Sequence, residues 1–323
     1  MDVDIKKQRE RRIFEMVYGN RSFDKIMANE CPDFLVRQFP ASPNFGVEIT
    51  EVYNSETDAR LDRISGYVNQ LLDGGSFKHK NDRKTLNVTK VDIVRKDNSV
   101  VARNIPAIMQ EVPPPSACAK QIAKRIRSKA ERLQNAAPRM THVNLIIQDK
   151  TGLLRSLRTA AFYNIFFVPE LISALAETPF REVFLVTVLE DKQVYVGLKM
   201  LYLLAEAYLF NGAIVSQGFA RELPPQADDI ELFASYFAST VRSPVLIHRG
   251  AIGTEVIFGD SGILFQKHDT VTVRLHSDYP MHPSAVRPCL QWEAILGIGF
   301  HDAMNEYRKS HTFSTAAVFP IVQ

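Results

Sequence analysis

Between residues 31 and 53 the apolar and polar positions follow the pattern of a β-hairpin. Phe34 to Phe39 is a short arm rich in apolar and aromatic residues, and Phe45 to Tyr53 alternates, with Val47, Ile49 and Val52 among its apolar positions. Such alternation marks a half-buried strand. Pro40, Ser42, Pro43 and Asn44 lie between the arms, and all four are turn formers. The arms are therefore predicted to be antiparallel, bringing Asp33 at the foot of the first toward Glu48 and Thr50 on the second. Glu48 and Thr50 point to one face of their strand, Val47 and Ile49 to the other.

Before the hairpin, residues 4 to 18 read as a helix with Ile13, Phe14, Met16 and Val17 on its apolar side and Glu10 at the edge of that side. After it, Ser55 caps a helix whose apolar face is Leu61, Ile64, Val68, Leu71 and Leu72, ended by Gly74 and Gly75. Arg60 and Arg63 of this helix face either a phosphate or solvent. Leu86 to Val94 and Val100 to Gln110 read as two strands joined by a Lys96 to Ser99 turn.

Pro113, Pro114 and Pro115 break the chain, and Ser116 caps a helix to about Asn135. Its apolar seam is Ile122, Ile126 and Leu133, with Lys129 on or beside it. A lysine there either snorkels at the margin or points into a cleft. The next expectations are a strand from His142 to Gln148, a helix over 156 to 177, strands at Phe180 to Leu189 and Val194 to Leu198, and a helix over Leu201 to Phe210. Residues 216 to 229, with Gly218, Pro224, Pro225 and three acids, read as a boundary. Beyond it, four short β-like runs between Val245 and Leu275 and a helix over Gln291 to Lys309 close the chain.

The expected class is α/β: a mixed β-sheet flanked by helices over residues 1 to 215, and a smaller β-rich α+β region over 216 to 323 without an assigned role.

Composition changes this picture little. With 46% hydrophobic and 23% charged residues over 323 positions, the chain has an ordinary globular makeup and can bury an extensive core. Its net charge of +3 is mild, but basic residues cluster at Lys78 to Lys96 and Lys120 to Arg132. Cys31, Cys118 and Cys289 are odd in number and far apart, which argues against a disulfide framework or a zinc site. The charged N-terminus and the lack of any run of roughly 18 apolar residues lead to the expectation of a cytoplasmic protein. His248, His268, His276, His282, His301 and His311 show no metal-binding spacing, and there is no phosphate-binding glycine loop, dinucleotide fingerprint or Gly-x-Ser-x-Gly elbow.

Two carboxylates facing each other across a hairpin repel unless a cation lies between them, and hard divalent ions favour such oxygen ligands. Asp33, about fifteen residues of hairpin, then Glu48-Ile49-Thr50 on an apolar strand followed by a helix, resembles the PD-(D/E)xK (restriction-endonuclease-like) nuclease superfamily over roughly residues 8 to 150. The resemblance implies a metal-dependent nuclease acting on nucleic acid, DNA more than RNA. Asp33, Glu48 and the Ile49 carbonyl would hold Mg²⁺, with Mn²⁺ as a substitute. The N-terminal helix would add Glu10, with Glu15 second. Thr50 stands where the superfamily carries a lysine, and Lys129 is the candidate replacement, as in variants whose lysine has moved to the following helix. The basic clusters would hold the phosphate backbone. The departure at Thr50 sustains an alternative: a catalytically degenerate domain that binds nucleic acid or serves in assembly. The apolar content of residues 156 to 210 suggests a homodimer.

Overall fold

Three antiparallel strands and a parallel crossover form the centre of the protein. The computed structural model describes residues 3–40, 42–134, 140–157, 164–216, 229–266, 271–275, 284–285, 291–297 and 299–310. Helix α1 (Val3–Tyr18) leads into strands β1 (Lys25–Ala28), β2 (Phe34–Arg37) and β3 (Phe45–Val52). The β2–β3 register sets Phe34 opposite Val47 and Val36 opposite Phe45. Helix α5 (Ser116–Gln134) then crosses over to β6 (Val143–Asp149), which runs parallel to β3 with Ile49 beside Ile146. Strands β7 (Val183–Leu189) and β8 (Lys192–Gly197) complete a six-stranded mixed sheet in the order β1-β2-β3-β6-β7-β8.

Successive residues of the central strands serve different cores, because strand side chains alternate faces. Val47, Ile49, Ile146 and Phe184 pack with Ile13, Phe14 and Val17 of α1. Val52, Leu145, Ile147 and Leu185 pack with Ile122 and Ile126 of α5 on the other side. Being covered on both faces, β6 and β7 read as nearly continuous apolar runs.

The crossover from β3 to α5 carries a subdomain of its own: α2 (Glu56–Arg63), α3 (Tyr67–Leu72), α4 (Lys80–Thr85) and the ribbon β4 (Asn87–Val94) and β5 (Val100–Met109). Among the described residues the two strands predicted here pair only with each other, apart from the main sheet. Tyr67, Leu71 and Leu86 form a small separate core. Asp82, fully buried, accepts hydrogen bonds from Thr57 Oγ1 at 2.9 Å and Tyr67 OH at 2.7 Å and pairs with Arg60. The single helix expected from Asn54 to Leu72 is two helices, because Ile64 turns extended after Arg63 and Gly66, left-handed with φ 72°, redirects the chain into the second. Val68, assigned to the apolar face, is exposed.

Helix α6 (Pro169–Glu177) is the main described helix of the long one expected over 156 to 177; Phe162 and Tyr163 lie outside the described residues. Helix α7 (Leu198–Ser216) is long and apolar enough to cross a membrane by length and composition, yet Leu198, Leu201, Leu209, Ala213 and Ile214 are buried in the core. The boundary at 216 to 229 falls almost wholly outside the described residues. Helix α8 (Asp229–Thr240), unanticipated, follows, and then β9 (Val245–Gly250), β10 (Gly253–Phe258), β11 (Ser261–Gln266), β12 (Val271–Leu275) and β13 (Ser284–Ala285) form an antiparallel sheet in the order β12-β11-β10-β9-β13. The last predicted helix is also two, α9 (Gln291–Leu296) and α10 (Phe300–Ser310), separated at Gly297 with φ 79°.

The regions on either side of residue 216 share one core: Leu201 and Phe210 pack in the same cluster as Phe237, Phe258 and Phe300. A polar network reinforces the joint. Asn144 donates to Tyr18 OH at 2.9 Å and to Asp260 Oδ2 at 2.8 Å, and Arg181 Nε lies 2.8 Å from Asp260 Oδ1. Glu182 accepts the N–H groups of Val183 and Lys199, each at 2.9 Å, and Lys199 donates to Ser243 Oγ at 2.9 Å.

Candidate active site

The pairing of β2 with β3 stops at Phe34 and Val47. Beyond it, the Ile49 N–H has no strand partner on that edge and donates to Asp33 Oδ2 at 2.7 Å. A residue's carbonyl shares the edge of its N–H in a strand, so the Ile49 carbonyl is directed to the same side. Glu48, one residue earlier, faces α5, where Lys129 Nζ pairs with its Oε1. The side chains of Lys129 and Glu48 are 14% and 12% exposed. Among the described residues, Glu48 Oε2 is buried with no hydrogen-bond partner.

These placements bring together Asp33, Glu48 and Lys129 as the sequence suggested. Asp33 has its pKa raised to about 7, first by burial and next by the charge of Glu48; Glu10 adds to the rise, while the Ile49 N–H and Lys129 oppose it. Two carboxylates in a dry site resist sharing two negative charges.

A cavity of about 340 Å³ opens over this point, between α1 and α5, lined by Lys6, Glu10, Asp33, Thr50, Arg125 and Lys129 among others. Its rim is tied across α1 and α2. Arg9 Nε lies 2.5 Å from Glu51 Oε1, Arg9 also pairs with Asp62, and Tyr53 OH donates to Asp62 at 2.6 Å. Arg60 is committed to Asp82, but Arg63 reaches the cavity wall, 3.3 Å from Glu51.

Glu10 is buried and lines the cavity, yet its oxygens lie 3.3 Å from Lys6 and 3.2 Å from Lys7. Lys7 also sits 3.9 Å from Asp33. Glu15 pairs with Arg11 at 2.7 Å on an exposed face. Among the described residues no three aspartate, glutamate, histidine or cysteine side chains converge on one point. The donors present, Asp33, the orphaned Glu48 Oε2 and the Ile49 carbonyl, fit a hard divalent cation through two carboxylates and a carbonyl, not through three carboxylates. His248 and His301 lie on β9 and α10, and the other four late histidines fall outside the described residues.

No family model, curated protein or solved structure matches the chain.

In the sequence Arg125 stood out only as one member of the Lys120 to Arg132 basic cluster, not as part of the site. It lies one helical turn before Lys129, with Arg132 three residues after it, so all three share a face of α5. That periodicity was available in the sequence, but a run of helix cations reads as solvated until the opposite wall is known. Lys7, Arg9 and Glu51 were missed for the same reason.

Proposed function

We propose that the protein is a divalent-metal-dependent nuclease of the PD-(D/E)xK type, hydrolysing phosphodiester bonds in nucleic acid, DNA in preference to RNA. The observation that carries this reading is the Lys129 to Glu48 contact beside Asp33. It supplies, from α5, the lysine that is missing at position 50. The order of α1, the β1-β2-β3 meander, α5 and a parallel β6 supports a restriction-endonuclease-like core for this part of the chain.

Asp33, Glu48 and the Ile49 carbonyl would hold Mg²⁺ or Mn²⁺, whose charge lowers the pKa of an attacking water and offsets that of the scissile phosphate. The Lys129 ammonium, nearly buried, would orient the water and stabilise negative charge developing on the phosphate. Thr50, on the Glu48 face and lining the cavity, would hold a water through its hydroxyl. Arg63, Arg125 and Arg132 would draw the phosphate backbone toward the site.

A second reading has its own support. Glu10 is engaged by two lysines, and among the described residues no third carboxylate, histidine or cysteine converges with Asp33 and Glu48. On that reading the domain is degenerate and binds nucleic acid or a partner without cutting. Incubating purified protein with supercoiled, linear and single-stranded DNA and with RNA, in Mg²⁺, Mn²⁺ or EDTA, separates the two. Metal-dependent cutting abolished by Glu48→Gln supports the nuclease; no cutting of any substrate favours the degenerate domain.

A further inference from the structure

A second cavity, of about 310 Å³, adjoins the first on the other side of Arg63 and Arg125, which line both. Its walls are the turn after β3 and the adjacent face of α5: Asn54, Ser55, Gln121, Lys124 and Ser128, besides the two arginines. Three cations line it against one acid, Glu56.

Arg125 distinguishes this cavity from an ordinary basic surface. It is half-buried, and among the described residues it makes no ion pair or hydrogen bond. Burial lowers its pKa first, and the charges of Arg63 and Arg132 add to the effect, opposed in part by Glu56 and Glu51. A partly desolvated guanidinium among like charges is unfavourable until an anion joins it. The hydroxyls of Ser55 and Ser128 and the Gln121 amide add hydrogen-bond donors around the same space. Such convergent, charge-assisted donors suit the oxygens of a phosphate. The ring of Tyr53, which also lines the space, is covered by Arg63 at 5.0 Å from its centroid, so it offers no open platform for a nucleobase.

We infer that this second cavity is a phosphate subsite, in which Arg125, Lys124 and Ser128 hold the backbone phosphate next to the scissile one. The inference rests on the nuclease reading for the identity of the neighbouring site. It gives the substrate a direction: the strand runs along α5 from Lys129 toward Lys124, with Arg125 between the two phosphates.

The test uses the full chain and a short fluorescein-labelled single-stranded oligonucleotide. Binding is measured by anisotropy in EDTA, and cleavage in Mg²⁺. Arg125→Ala and Lys124→Glu are each expected to weaken binding about tenfold and to raise KM with kcat within about twofold, and Arg125→Lys to recover part of the loss. Lys124 is exposed, so Lys124→Glu remains informative if Arg125→Ala unfolds. Replacing the single phosphate beside the cut bond with a neutral methylphosphonate is expected to weaken binding to wild type but not further to Arg125→Ala. Unchanged binding and KM in both variants, a methylphosphonate penalty that persists in Arg125→Ala, or no oligonucleotide binding by wild type overturns the subsite. Cutting that depends on Glu48 but not on Arg125 leaves the nuclease standing without the subsite. Binding that depends on Arg125 with no cutting leaves the subsite and removes the nuclease.

Discussion

Lys129 on α5 and Glu48 on β3, 81 positions apart in the chain, form an ion pair in which both side chains are mostly buried, beside the carboxylate of Asp33. A buried pair of this kind adds little net stability compared with apolar residues of the same size. On the nuclease reading, its position next to a second carboxylate gives it a chemical use instead.

Lys129→Met is expected to lower kcat by about a hundredfold or more, the scale of losing a preorganised charge at the reacting phosphate. It also leaves Glu48 without its cation, so the variant is expected to unfold about 1–3 kcal/mol more easily at pH 8. The deficit shrinks as acid protonates Asp33 and relieves its repulsion of Glu48. Single-turnover cleavage and thermal unfolding at pH 5 and pH 8 check both statements.

Asp33 sets a pH dependence whose sign is opposite to that of a salt-bridged aspartate. Its pKa is raised in the folded state from 3.8 to about 7, so the native protein binds the proton more tightly than the unfolded chain. Stability is therefore fully present below about pH 4 as far as this group is concerned, and is lost as pH rises toward 7. Asp33→Asn is expected to raise stability at pH 8 by on the order of 1–3 kcal/mol while abolishing cleavage. On the nuclease reading Mg²⁺ would compete with the proton, so the rise in thermal midpoint that it causes is expected to grow between pH 6 and pH 8 in wild type and to vanish in Asp33→Asn.

Glu10→Gln separates a resident ligand from a neighbour. Because Glu10 is held by Lys6 and Lys7, the variant is expected to change kcat by no more than about threefold, against about a thousandfold for Glu48→Gln. Steady-state cleavage at saturating Mg²⁺ measures both.

Gly259→Ala addresses the joint between the two sheets. Gly259 has φ 78°, and an added Cβ would lie 2.8 Å from both the Arg181 carbonyl and Glu182 Oε2. Neither neighbour is free to withdraw, since Glu182 is fully buried and holds the N–H groups of Val183 and Lys199. A loss of about 2–3 kcal/mol is expected in urea unfolding, with kcat unchanged where the variant remains folded.

Much of the framework was legible in the residues. Alternation from Phe45 to Val52, the turn formers before it and the seam of Ile122 and Ile126 are local patterns, and each element forms where they point. Strand β1 was not legible, because Lys25 to Ala28 is short and half-exposed, with no alternation of its own. The helix breaks at Gly66 and Gly297 were obscured because apolar spacing continues across a left-handed residue. Glu182, Lys199 and Asp260 gave no sign of being buried together, since their sequence neighbours say nothing of a turn arriving from β10 and β11.

By itself the sequence determined the local elements and the chemistry available to them: an aspartate at the foot of a hairpin, a glutamate on its second strand, and a lysine on a helix seam. Only the tertiary structure decided that Lys129 turns to Glu48 rather than to solvent, that Glu10 meets lysines, and that Arg125, without an ion-pair partner among the described residues, stands between two cavities. Periodicity specifies which face of an element a side chain occupies, but not what the chain brings opposite that face. Opposing walls are set by the β3 to β6 crossover and by the packing of α1 and α5 on the two faces of one sheet.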